Sequence, residues 1–227
     1  MQADTKKQAD ISAEARMHMI AGQIRPNRVS DERVVAAIRA VPREAYVPKA
    51  LRGIAYIDED LEVAPGRYLM EPMVFARLIR EAEIMPHEVV LDIGCATGYS
   101  IAVLARLAET VVAVEEDEAL AAKAEETLSA QGVDNAAVVM APLSKGAPKQ
   151  GPFDVIILEG AVEVIPQGII DQLSDGGRLV CVRADEGTSQ GYIMTHSGDA
   201  VGGRRFCDAF VPALPGFQAE RGFEFSL

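Results

Sequence analysis

The chain has 227 residues, 49% of them hydrophobic and 25% charged, and a net charge of −12. That is the composition of a folded globular protein, and its acidity argues against general affinity for nucleic-acid phosphates. Cys95, Cys181 and Cys207 lie far apart with no Cys/His cluster beside them, which speaks against a zinc site or a disulfide framework, and no apolar run reaches the length of a membrane span.

The opening MQADTKKQADISAE is too polar for a signal peptide, so a cytoplasmic protein without a bound metal is expected. Charge is uneven: residues 1–52 hold 10 Lys/Arg against 6 Asp/Glu, and the remainder 12 against 28. The basic segment suits either an acidic substrate or a solvated helix face. The first dozen residues are expected to fray. Ala13, Met17, Ile20 and Ile24 then recur at helical spacing, and Pro26 ends that helix. Ser30 is the expected cap of the next helix, with Val34, Val35, Ile38 and Val41 inward and Pro42 as its stop. Residues 53–70 show no clear period and are expected to form an irregular connection. Pro72 then opens a helix carrying Val74, Phe75, Leu78 and Ile79.

From residue 89 strand and helix alternate. EVVLDI, TVVAVE, NAAVVMA, FDVIILEG and GRLVCVRA read as buried strands. Helices are expected behind the first (Ile101, Leu104, Ala105, Ala108), behind the second (Leu120, Ala124, Leu128) and over 166–173. Such alternation implies an α/β fold, a mostly parallel sheet with helices on both faces. QGYIMTHS and GRRFCDAFVPAL read as two closing antiparallel strands around a Gly/Asp turn.

The stretch VLDIGCATGYS, residues 90–100, is a strand end followed by a glycine-punctuated loop. A dinucleotide fingerprint needs G-x-G-x-x-G, and the spacing of Gly94, Ala96 and Gly98 fails it. A phosphate loop needs a Gly-Lys-Ser/Thr ending, which is missing. Asp92, Gly94 and Gly98 match D/E-x-G-x-x-x-G, a turn that suits S-adenosylmethionine. Glu115, at the end of TVVAVE, could accept two hydrogen bonds from a ribose diol. Glu115 and Glu116 could equally open the next helix, where acids suit the dipole.

RMHMIAGQIRPNRVSDERVVAAIRAVPREAYVP closely resembles the opening of the protein-L-isoaspartate O-methyltransferases, which read R-M-V-x-x-Q-L, D-x-R-V-L-x-A-M and V-P-R-E-x-F-V-P. The resemblance continues through AYIDEDLEV, VLDIGCATGY, VVAVEEDEALAAKAEETL, PFDVIILEGAVEVIPQGIIDQLSDGGRLV and FVPAL, over roughly residues 15–215. It implies a Rossmann-like class I methyltransferase with a seven-stranded sheet. Residues 1–70 would form a helical extension and 71–227 the cofactor-binding domain. It also implies S-adenosylmethionine as cofactor and isoaspartyl proteins or peptides as substrate. Asp92, Gly94, Cys95, Ala96, Gly98, Tyr99, Glu115, Glu116, Pro142, Leu143 and Glu159 are the expected cofactor contacts.

Three positions depart from the family pattern. Where the family has G-Q-T-I-S-Q-P, this chain has Gly66-Arg67-Tyr68-Leu69-Met70-Glu71-Pro72, so Met70 stands at the active-site serine and Tyr68 at the threonine. Ala141-Pro142-Leu143 replaces the G-D-G whose acid touches adenine, and Ala96 replaces the middle glycine of the loop. Tyr68 is therefore the expected substitute donor. Met70 either packs or reshapes the acceptor pocket.

Overall fold

The computed structural model describes residues 2–185, 187–198 and 200–219. Helix α1 (Gln2–Met19) passes into a π-helical turn, Ile20–Ile24, and a 3₁₀ turn, Arg25–Asn27. Of the first dozen residues, expected to fray, 2–12 belong to α1; they are rich in Ala, Gln and Lys, which favour helix, and Met1 lies outside the described residues. The expected inward stripe is also corrected. Ala13 and Met17 face solvent, and Met19, Ile20 and Ile24 are buried. The wider π turn rotates the chain just where the stripe should continue. Helix α2 (Glu32–Ala40) is capped one residue later than expected: the Asp31 carboxylate, not Ser30, accepts from the Arg33 N–H.

Residues 53–70, expected to be irregular, contain a small antiparallel hairpin of β1 (Leu61–Ala64) and β2 (Arg67–Leu69). It forms its own two-stranded sheet and turns at Gly66, whose φ of 68° suits glycine. Burial alternates along β2, so Arg67 and Leu69 point inward and Tyr68 is only partly buried. Helix α3 (Pro72–Ala82) follows, with its apolar side fully packed.

The remainder alternates as expected: β3 (Val89–Ile93), α4 (Tyr99–Leu104), β4 (Thr110–Glu115), α5 (Glu118–Ala130), β5 (Ala136–Met140), β6 (Phe153–Val162), α6 (Gln167–Ile170), β7 (Leu173–Asp185), β8 (Thr188–Ser197) and β9 (Ala200–Asp208). Helices α4 and α6 are shorter than the sequence suggests, ending at Leu104 and Ile170. The seven strands run in the order β5-β4-β3-β6-β7-β8-β9, parallel from β5 to β7 and antiparallel through β8 and β9. Their side chains feed two cores. Val90, Val111 and Val155 pack on the face that also holds Val34, Ile38 and Phe75 of the N-terminal helices and α3; Leu91, Val112 and Ile156 pack on the other. Strands buried on both faces read as unbroken apolar runs, which is why they were legible.

The chain order reverses at β3. From there β4 and β5 build one way, and β6 to β9 the other. The carboxyl ends of β3 and β6 therefore flank the switch point, the position at which open α/β sheets have their ligand crevice. Among the described residues, no helix is long and apolar enough to cross a membrane.

Candidate active site

The loop after β3 is built by three left-handed residues: Gly94 (φ 88°), Ala96 (φ 47°) and Gly98 (φ 91°). Ala96 adopts that conformation at a cost of about 1–2 kcal/mol. Its strain is offset locally, because the Ala96 N–H so directed donates to Glu115 Oε2 at 2.9 Å. Gly98 opens α4 and lets α5 approach: a Cβ there would sit 3.1 Å from that of Ala124.

Asp92, the penultimate residue of β3, is wholly buried. Its Oδ2 accepts from the Ser100 hydroxyl at 2.6 Å, while Oδ1 has no partner. Burial raises its pKa to about 7, and the Glu115 charge adds to that. Glu159, near the end of β6, is partly exposed as a residue, but its Oε1 is sealed from solvent and unpartnered. Its carboxyl lies well above the ordinary range, because of burial and the nearby Asp92. Asp92 Oδ1 and Glu159 Oε1, both buried and without a hydrogen-bond partner, thus lie beside the glycine loop. Burial biases both carboxyls toward the protonated form, and a cation bound beside them would bias them back.

Glu115, at the end of β4, is different. Its side chain has no exposed surface and takes five hydrogen bonds. Oε1 accepts from Arg67 Nη1 and from the N–H groups of Glu116 (2.9 Å) and Asp117 (3.0 Å); Oε2 accepts from Arg67 Nη2 (2.7 Å) and Ala96 (2.9 Å). Arg67 reaches it from β2 and is itself 7% exposed. The guanidinium lies along the loop, with Nη2 3.6 Å from the position a Gly94 Cβ would take. The segment FVPAL comes over the same loop. Ala161 N–H donates to Pro212 O (2.9 Å), Leu214 N–H donates to Ala161 O (2.8 Å), and Leu214 Cδ1 stands 2.6 Å from that Gly94 position.

The remaining expected residues divide between crevice and core. The Leu143 N–H donates to Glu116 Oε2 at 3.3 Å, which brings Glu116, Pro142 and Leu143 together beside the end of β4. Tyr99 is in the core, its ring 5.8 Å from Tyr46, 5.7 Å from Phe75 and 4.8 Å below the Arg43 guanidinium. Cys95 is buried and its thiol is pushed well above its usual pKa, which makes it inert. Met70 is buried among core residues, and its carbonyl accepts from Arg43 Nη2 at 2.7 Å. Between packing and a reshaped pocket, this burial favours packing. Glu71, next along, is raised to about 7 by burial and by Asp60, Asp58 and Glu59. Sequence reading missed Arg67, Ser100, Arg43 and Leu214. A charged residue at an inward hairpin position would have revealed Arg67, had the hairpin been recognised.

A glycine loop at the switch point of this sheet, with acids at or near the carboxyl ends of β3, β4 and β6, defines the class of S-adenosylmethionine-dependent methyltransferases. Solved structures bear out the fold. A protein-L-isoaspartate O-methyltransferase superposes with a TM-score of 0.78 over 88% of this chain, at 23% identity; this chain spans 66% of its length. A second, from Plasmodium falciparum and in complex with S-adenosyl-L-homocysteine, gives 0.76 over 88% of this chain and 97% of its own, at 18% identity. The model of the family protein-L-isoaspartate(D-aspartate) O-methyltransferase matches residues 14–205. Protein-L-isoaspartate O-methyltransferase of Methanoculleus marisnigri is 41% identical over 76% of this chain and 79% of its own. Protein-L-isoaspartate O-methyltransferase 1 of Syntrophobacter fumaroxidans is 36% identical over 86% and 93%. The chain belongs to the protein-L-isoaspartate O-methyltransferase family.

Proposed function

We propose that this protein is a cytoplasmic S-adenosylmethionine-dependent carboxyl methyltransferase acting on isoaspartyl residues of damaged proteins. The observation that carries the reading is the pair of buried, unpartnered carboxyl oxygens, Asp92 Oδ1 and Glu159 Oε1, beside the glycine loop. The cofactor is a cation at both its sulfonium and its α-ammonium, and buried carboxyls without a partner suit such a ligand. Its ribose would take Glu115, and its adenine the turn of Glu116, Pro142 and Leu143. The chemistry of these residues fits the cofactor, provided that Arg67 leaves Glu115.

When bound, the cofactor supplies an electrophilic methyl carbon. The acceptor carboxylate has an ordinary pKa of about 4, is ionised at neutral pH and needs no general base. Held by Asp92, Glu115 and Glu159, the cofactor would supply its methyl to a carboxylate oxygen in exchange for the bond to sulfur, so that the two opposite charges would cancel. The protein's part is alignment and the exclusion of water. Leu69, Met70 and Leu214, all buried, keep this region dry. Tyr68, the partly buried residue of β2, is the proposed donor that orients the acceptor. No histidine or cysteine is required.

A second reading is favoured by the Arg67–Glu115 pair: a family member that keeps the fold and binds no cofactor. Transfer of labelled methyl to an isoaspartyl peptide, compared with its normal aspartyl twin, separates the two. Label on the isoaspartyl peptide alone is the expected result. No label on either refutes the repair activity.

A further inference from the structure

We propose that Arg67 is a built-in competitor for the cofactor seat: its guanidinium occupies the Glu115 carboxylate that a ribose diol would use, and its departure sets cofactor affinity. The inference rests on the reading that the crevice takes S-adenosylmethionine. Three observations carry it.

The first is saturation. A carboxylate offers about four lone-pair sites, and Glu115 already receives five donors, three from backbone N–H groups and two from Arg67. The backbone donors belong to the loop and to the turn into α5, and stay while the fold stays. Only the Arg67 bonds can be exchanged for ribose hydroxyls. The second is position. The guanidinium lies along the loop, 3.6 Å from the Gly94 Cβ site, and Glu115 beneath it has no exposed surface. It stands against the loop as well as pairing a charge. The third is attachment. Arg67 is carried by a two-stranded hairpin outside the seven-stranded sheet. Its side chain or its hairpin can withdraw without breaking a bond of the main sheet.

The pair is neutral as a whole. Neither Asp92 nor Glu159 shares the guanidinium: no hydrogen bond or ion pair joins Arg67 to them, and each keeps an unpartnered oxygen. The closed crevice therefore satisfies Glu115 alone. Cofactor binding exchanges one internal cation for a ligand that also meets the two waiting acids. A site open only part of the time binds with an affinity reduced by its open fraction. A closed state favoured about a hundredfold would weaken binding about a hundredfold.

The test is calorimetric titration of S-adenosylhomocysteine into wild type and Arg67→Gln, with melting curves to establish that both are folded. Release of a competitor tightens binding, whereas simple damage to a site weakens it. We expect the variant to bind on the order of tenfold more tightly or better. Arg67→Lys, which keeps the charge but loses the two-pronged geometry, is expected in between; if Arg67→Gln fails to fold, Arg67→Lys against wild type gives the same comparison. Equal or weaker binding by the folded variant overturns the proposal while leaving the cofactor assignment intact. No binding by wild type or variant overturns both.

Discussion

Asp92→Asn is expected to gain stability relative to the wild type as pH rises from 5 to 8. In the fold this carboxyl is wholly buried, accepts one hydrogen bond from Ser100 and has one oxygen without a partner. It titrates at about 7, against 3.8 for the unperturbed group. Between these values the unfolded chain has released the proton and the folded protein still holds it. The unfolded state therefore binds fewer protons, and stability falls as pH rises from about 4 to about 7. At 1.36 kcal/mol per decade, the fall amounts to about 4 kcal/mol at most. Asparagine has the shape of the protonated acid and can still accept from Ser100, but it never ionises. Urea denaturation of both proteins at pH 5 and pH 8 measures the difference directly. The variant should lose about 2–3 kcal/mol less between the two pH values, with Glu159 accounting for a residual decline of the same sign. Parallel slopes would refute the reasoning, because they would mean that Asp92 is ionised and compensated in the fold. The functional effect should have the opposite sign: an amide offers the cofactor no charge-assisted acceptor, so S-adenosylhomocysteine should bind more weakly.

Pro142→Asp should tighten S-adenosylhomocysteine binding by about tenfold or less, the worth of one added acceptor, in the same titration; an unchanged affinity would show that this turn does not face the adenine. Met70→Ser should lower stability by about 2–4 kcal/mol, because Met70 lies in the core, and should raise methyl transfer to isoaspartyl peptide when assayed well below the melting transition. A variant that is destabilised but no faster would leave Met70 with a packing role only. Tyr68→Phe should reduce turnover with cofactor affinity nearly unchanged, the pattern of a bond made to the reacting group. Gly98→Ala should cost about 1–2 kcal/mol for its left-handed backbone, and more for the contact with Ala124, measured as a lowered melting temperature.

Much of this protein is written locally. Strands β3, β4 and β6 are buried on both faces, so VVLDI, TVVAVE and FDVIIL announce themselves as apolar runs, and the glycine pattern after β3 marks a turn that few other residues can make. Pro72 and the apolar period behind it place the start of α3 and its buried side. Helix α1 was harder, since a π turn changes the period on which the reading depends. The β1–β2 hairpin was invisible because strands of 4 and 3 residues are too short to establish an alternation.

What the sequence by itself determined is therefore the alternating sheet, the family, and the acids toward the carboxyl ends of three strands. What only the tertiary structure decided is the condition of those acids. Arg67 and Glu115 are 48 residues apart, and Leu214 lies 120 positions beyond the Gly94 it covers. Local periodicity records which face of an element is buried, but not which distant side chain returns to that face. The same Glu115 reads along the chain as a ribose acceptor or a helix opener. In the folded protein its environment closes it with an arginine, while Asp92 and Glu159 remain unpaired, because charge is settled by distance in space and by desolvation rather than by order along the chain.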